Sequence, residues 1–124
     1  MSDWRADAPY SFTVADCVAS NAAAFGDRVA IEVLDPRHAG TDPVDVWSYR
    51  RLWQRVEAMA EALAPIAPGP HGPMVAVLLG NSVDALVSYL AAQVAGAAAV
   101  PVNNRLAAPE VEFVLRDSGA TVLL

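Results

Sequence analysis

Apolar positions along this chain change period midway, and the second half shows the change most clearly. Val75-Ala76-Val77-Leu78-Leu79 is a short continuous apolar run, broken by Gly80-Asn81-Ser82. Val83, Leu86, Val87, Leu90 and Val94 then recur at offsets of 3, 4, 7 and 11, which marks one face of a helix over 82–95. Gly96 closes it, as a residue free to turn left-handed does. A second apolar strand is expected over Ala97–Val102 and a second helix over Ala108–Ser118, followed by Gly119. Thr121-Val122-Leu123-Leu124 begins a third strand. Apolar strands joined through helices predict a three-stranded parallel sheet, 74–79, 97–102 and 121–124, with right-handed crossover helices. Such a sheet needs both faces covered and usually more strands, so the pattern reads as part of something larger.

The first half is simpler. Residues 1–10 carry no period and read as a polar arm. Thr13 is placed to cap a helix, with Asp16 where an acidic group favours the dipole. Val14, Val18, Ala22 and Phe25 share a face of that helix, and Gly26-Asp27 ends it. Arg28–Leu34 alternates as a strand, with Val29, Ile31 and Val33 on one side. Asp35–Pro43 is a loop and Val44–Trp47 a second strand, together a hairpin. Ser48 caps a helix whose apolar stripe is Tyr49, Leu52, Val56, Met59, Ala60 and Leu63, with Arg50, Arg51, Arg55, Glu57 and Glu61 facing water. Pro65 stops it, and Pro68-Gly69-Pro70-His71-Gly72-Pro73 is a rigid turn cluster before the parallel strands. The organisation is thus a 1–10 arm and an 11–124 unit, made of a first part at 11–66 and the parallel α/β part at 74–124.

Composition narrows the function classes. With 55% hydrophobic and 18% charged residues among 124, the chain is too apolar for intrinsic disorder and long enough to bury a core. Net charge is −6 and the eight basic residues are scattered, so a nucleic-acid role lacks its electrostatic footprint. The single cysteine, Cys17, excludes an internal disulfide framework and fits a reducing, cytoplasmic setting. The N-terminus has no basic flank leading into an apolar segment, which argues against a signal peptide. Residues 85–104 hold no charge and match the roughly 20 residues a membrane span needs. Gly96, Pro101 and Gln93 interrupt that stretch, so a buried helix followed by a buried strand is the better reading and no transmembrane segment is expected.

Catalytic motifs are scarce. No glycine-rich loop leads into Lys-Ser or Lys-Thr, and the turn after the first parallel strand has one glycine, so neither a phosphate loop nor a dinucleotide fingerprint is present. That turn offers free helix amides to an anion, but a tight turn capped by Asn81 is the preferred reading. His38 and His71 sit in loops with no Cys or carboxylate at metal spacing. Cys17 is expected to be a small buried hydrophobe, and Glu110 and Glu112 a solvated helix face. Arg50, Arg51 and Arg55 are helix-surface charge before they are a site for an acidic partner.

Three segments, read together, resemble the amino-terminal part of the class I adenylate-forming enzymes, the acyl-CoA synthetase and AMP-dependent ligase superfamily. Trp47-Ser48-Tyr49-Arg50-Arg51-Leu52 resembles that family's "T-Y-x-x-L" opening, and Val75–Ser82 its "V-A-x-x-L-x-N-S" turn. Ala95-Gly96-Ala97-Ala98-Ala99-Val100-Pro101-Val102-Asn103-Asn104-Arg105-Leu106, then Glu110 and Asp117-Ser118-Gly119-Ala120, resembles "A-G-A-x-x-V-P-x-N-P-R-L", an acidic helix and "D-S-G-A". Order and spacing match from about residue 12 to the end. Asn104 stands where the family has proline, and Ala107 where Ser or Thr caps the helix, the latter at a cost of about 1 kcal/mol.

The resemblance implies ATP-dependent activation of a carboxylic acid to an acyl-adenylate, release of pyrophosphate and, usually, transfer of the acyl group to coenzyme A. It implies that the family's phosphate loop, Mg-binding glutamate, ribose-binding aspartate and catalytic lysine all come later than residue 124. No catalytic or metal residue is therefore assigned, and no cofactor is expected on this chain alone; ATP, Mg and CoA belong to the full-length parent. Asn103, Asn104 and Arg105 match a loop that passes near the coenzyme in CoA-using relatives. The expected function is an amino-terminal fragment of an acyl-CoA synthetase-like ligase, inactive alone, whose partners are the missing remainder of the parent and further copies of itself in a homo-oligomer. The alternative is a stand-alone α/β binding or interaction module without catalysis.

Overall fold

The computed structural model describes residues 12–35, 37 and 42–124. The polar arm over 1–10, much of the loop over 35–43 and His38 lie outside the described residues. The order of elements is α1 (Val14–Phe25), β1 (Val29–Val33), β2 (Asp45–Ser48), α2 (Tyr49–Leu63), β3 (Met74–Val77), α3 (Val83–Val94), β4 (Ala98–Pro101), α4 (Ala108–Ser118) and β5 (Val122–Leu123).

Local chemistry explains most boundaries. Thr13 Oγ1 accepts from the Asp16 amide at 3.2 Å while the Asp16 carboxylate accepts from the Thr13 amide at 2.7 Å, a reciprocal cap on α1. The Ser48 hydroxyl accepts from the Arg51 amide at 3.2 Å and opens α2. Gly96 and Gly119 follow α3 and α4 with φ of 77° and 69°, the left-handed region that stops a helix.

β1 and β2 form the expected antiparallel hairpin, with Ile31 opposite Trp47 and Val33 opposite Asp45. The register slips between Val29 and Ile31. That slip breaks the expected face of Val29, Ile31 and Val33: Ile31 and Val33 are half-buried, whereas Val29 is exposed. The second sheet is parallel in the order β4-β3-β5, so the earliest strand lies in the middle. Its regular pairing is shorter than the apolar runs, but single bonds extend it: Leu78 N–H donates to Leu124 O at 2.7 Å and Val102 N–H to Val77 O at 2.9 Å.

The core lies between this sheet and the helical layer. Val75 and Val77 of β3 meet Val87 and Leu90 of α3 and Leu52, Val56 and Leu63 of α2, all buried. Each such side chain contributes about 1.5–3 kcal/mol by leaving water. α1 packs on both α2 and α3. Gln93, the polar residue inside the long apolar stretch, has a partner there: its Oε1 accepts from the Ala15 amide in the first turn of α1, at 3.1 Å. α4 is different, because none of its residues is fully buried and Phe113 stands 69% exposed.

Several helix faces depart from the sequence pattern. On α1 the inward residues are Ala15, Val18 and Ala22, while Val14 and Phe25 are exposed. The face is rotated toward the smaller side chains because α1 lies close against two helices. Cys17 consequently points outward and is exposed, not the buried hydrophobe expected. On α3, Leu86 and Val94 are exposed, and the buried set includes Ala85, Ser88, Ala91 and Ala92. Ser88 is accommodated because its hydroxyl donates to the Asp84 carbonyl at 2.7 Å. Glu110 is not simply solvated: its carboxylate accepts from the Ala107 amide at 2.8 Å and supplies one half of a capping box, whose other half Ala107 has no side-chain oxygen to give. Glu112 pairs with Arg116 at 2.6 Å across one helical turn.

The amino ends of the parallel strands are fastened together. Gly69 and Gly72 exchange backbone hydrogen bonds of 2.9 and 3.1 Å across the proline-rich turn. That turn lies directly on the end of α4, where a Cβ on Gly69 would overlap the Gly119 carbonyl oxygen. The Thr121 hydroxyl donates to the Ala67 carbonyl at 2.8 Å and completes the junction.

Candidate functional site

The carboxyl ends of the parallel strands are built in the opposite way. Here β3 and β4 run out into two loops, Leu79–Asn81 before α3 and Asn103–Leu106 before α4. An open cleft of about 660 Å³ lies between them, lined by Leu79–Asn81, Tyr89 and Pro101–Arg105. In open α/β sheets, ligands bind in crevices outside the carboxyl ends of the strands.

Each wall has a local cause. Val102, one residue past β4 and 5% exposed, is anchored in the core, and its amide still reaches Val77. Beyond it Asn103 folds the chain back: its side-chain Oδ1 accepts from the Arg105 amide at 3.0 Å and its carbonyl from the Leu106 amide at 3.1 Å. This turn presents Asn103, Asn104 and Arg105 to solvent on the rim. Among the described residues Arg105 forms no ion pair. On the opposite wall Ser82, not Asn81, caps α3, its Oγ accepting from the Ala85 amide at 3.1 Å. The hydroxyl of Ser82 lies one residue nearer the helix, which leaves Asn81 exposed in the cleft.

The three residues singled out for a coenzyme loop are thus brought together on one rim, and Tyr89 and Gly80 join them across the cleft. Gly80 reads in the sequence only as the single glycine of a tight turn, and Tyr89 is not singled out there. The signal at Tyr89 is an aromatic ring with a polar tip, two turns after Ser82.

The other candidates lie elsewhere. His71 is exposed in the turn cluster at the amino ends of the strands. Arg50 pairs with Asp27 at 3.2 Å. Arg51 bonds Asp45 Oδ1 and the Val46 carbonyl, each at 2.9 Å, and lies 3.9 Å over the Trp47 ring. Trp47 Nε1 donates to Asp45 Oδ2 at 2.7 Å. Hydrogen bonds from Arg51 and then Trp47 hold the Asp45 carboxyl below its ordinary range. Arg51 therefore ties β2 to α2, and Arg50 ties α2 to the turn between α1 and β1. Among the described residues no three His, Cys, Asp or Glu side chains gather as a metal set, and no helix is long and apolar enough to cross a membrane.

Residues 18–124 match the model of a protein family described as AMP-binding enzyme. The long-chain-fatty-acid-CoA ligase FadD13 of Mycobacterium tuberculosis is 40% identical over 78 residues, 60% of this chain and 16% of that protein. The nonribosomal peptide synthetase sidC of Arthroderma benhamiae is 33% identical over 114 residues, 80% of this chain and 2% of that one. Among solved structures, the N-terminal domain of FACL13 from Mycobacterium tuberculosis superposes with a TM-score of 0.73 at 32% identity, over 90% of this chain and 26% of that one. The chain thus spans about a sixth of the length of the ligase relative, 16%. Its parallel α/β architecture matches the N-terminal domain of an adenylate-forming enzyme, and the chain belongs to the AMP-binding enzyme family.

Proposed function

We propose that this chain forms the amino-terminal part of an ATP-dependent acyl-CoA synthetase-like ligase, which adenylates a carboxylate and then joins the acyl group to coenzyme A. The observation that carries the reading is the cleft at the carboxyl ends of β3 and β4, whose rim is the Asn103-Asn104-Arg105 turn. Its contents suit the polar part of a coenzyme: three amide side chains, a tyrosine and an arginine cation without an ion-pair partner among the described residues. Arg105 would meet an anionic group there and the amides would orient its polar neighbours.

ATP and Mg are a different matter. Neither a phosphate loop nor a grouped set of carboxylates occurs among the described residues, so no residue here is given a role toward them. Preorganised charge of that kind is often the largest catalytic contribution. The 124-residue chain by itself is therefore expected to make no acyl-adenylate.

The test is carboxylate-dependent exchange of labelled pyrophosphate into ATP. It is run on this chain and on a polypeptide that continues through the rest of the family's length, followed by thioester formation with CoA. Exchange and thioester by the longer protein, and neither by this chain, is the expected result. Exchange by the 124-residue chain above a no-protein blank would overturn its assignment as an inactive part. A longer protein active in neither step would favour a binding module without catalysis.

A further inference from the structure

We propose that Gly80 is a positioning residue for the thioester step, acting through Asn104. This rests on the reading of the cleft as the coenzyme end of an acyl-CoA ligase. Across the cleft the two loops come close at Gly80: a Cβ built there would lie 3.1 Å from Asn104 Nδ2, with no other neighbour within ordinary contact. At that separation the amide must give way by a few tenths of an ångström.

Conformation does not require glycine here. Among the described residues the glycines with positive φ are Gly72, Gly96 and Gly119, so position 80 has backbone angles that alanine adopts without strain. What glycine supplies is room. Among the described residues the Asn104 amide has no hydrogen-bond partner, and its Nδ2 lies beside the room that glycine leaves at position 80. Asn104 itself lines the cleft, so displacing its amide alters the lining directly while the Asn103–Arg105 hydrogen bond of the turn stays in place.

In the step concerned, the coenzyme sulfur attacks the acyl carbonyl carbon and a C–S bond forms. The bond from that carbon to the phosphate oxygen of AMP breaks, AMP leaves with the electron pair, and the thiol proton passes to solvent. Gly80 and Asn104 set where the coenzyme lies for this attack and take no part in adenylation.

The experiment uses the full-length ligase bearing Gly80→Ala, Asn104→Ala and both together, assayed separately for pyrophosphate exchange and for CoA thioester formation. Gly80→Ala is expected to raise KM for CoA about three- to tenfold, since misplacement of 1 Å can cost about a hundredfold and this shift is smaller. Exchange should be unchanged. The double variant should return to within about twofold of Asn104→Ala alone, because removing the amide removes the obstruction. An unaltered KM in Gly80→Ala, a parallel fall in exchange, or no rescue in the double variant would each overturn the proposal. A wild-type enzyme that exchanges pyrophosphate but makes no CoA thioester would overturn the coenzyme reading itself, a result distinct from all three.

Discussion

Replacing Gln93 by leucine removes one acceptor from beneath the first turn of α1 and little else. The Ala15 amide that donates to Gln93 Oε1 belongs to the first turn of a helix, where backbone N–H groups have no intrahelical carbonyl. Ala15 is 1% exposed, so water cannot take the place of the lost acceptor. Leaving a buried donor without its acceptor costs about 1–3 kcal/mol, against about 1 kcal/mol for an average net hydrogen bond, so the expected loss is about 2 kcal/mol, offset slightly by the added apolar contact. An unfolding entropy of roughly 2.1 cal/mol/K per residue converts this to a fall in Tm of about 8 °C. Gln93→Glu should behave differently, since it keeps an acceptor and places a negative charge at a helix N-terminus, worth about 0.3–1 kcal/mol. Urea unfolding followed by far-ultraviolet circular dichroism, with amide exchange at Ala15, measures both variants. A loss below about 0.5 kcal/mol in Gln93→Leu, or equal losses in the two variants, would refute the argument that Gln93 satisfies a buried amide of α1.

Ala107→Ser should stabilise the chain by about 1 kcal/mol, raising Tm by roughly 4 °C, because position 107 already has extended angles (φ −71°, ψ 156°) and Glu110 in place. An unchanged Tm in a thermal melt would refute it. Asp45, held ionised by Arg51 and Trp47, has a folded pKa below its ordinary 3.8. Its contribution is therefore full above the unfolded value and fades as pH falls through the lower folded one. Urea midpoints of wild type and Asp45→Asn should converge on acidification below about pH 4, and a gap independent of pH would count against the pairing. With Phe113 69% and Leu123 47% exposed, the chain is expected to self-associate at micromolar concentration. Sedimentation equilibrium giving a monomer mass independent of concentration would refute this.

Elements with strong local signatures were legible in the sequence. α4 spans Ala108–Ser118 as its periodicity and Gly119 indicated, and the caps at Thr13 and Ser48 are where hydroxyl side chains precede apolar stripes. What periodicity missed is tertiary in origin. Ala15 is inward in place of Val14 because two neighbouring helices approach α1 closely, a fact no local pattern records. Ser82 displaced Asn81 as a cap by a difference of one residue in where the helix starts, which lies within the resolution of such readings. The clustering of 103–105 followed from motif resemblance; that Gly80 and Tyr89 face the same cleft depends on the pairing of β3 with β4 and on the packing of α3.

The junction of Gly69, Gly119 and Thr121 has a practical consequence for anyone altering this protein. At that end of the sheet, two segments some fifty residues apart in sequence interlock with no space for a single added carbon. Peptide tags, fluorophores or domain insertions placed at 69–72 or 119–121 should abolish soluble expression. The same insertions between Asn103 and Leu106, where the turn is exposed and held only by its own hydrogen bonds, should leave the fold intact and alter only what the cleft admits. Sequence length is thus permitted to vary at one end of these strands and forbidden at the other, which tells a protein engineer where to cut.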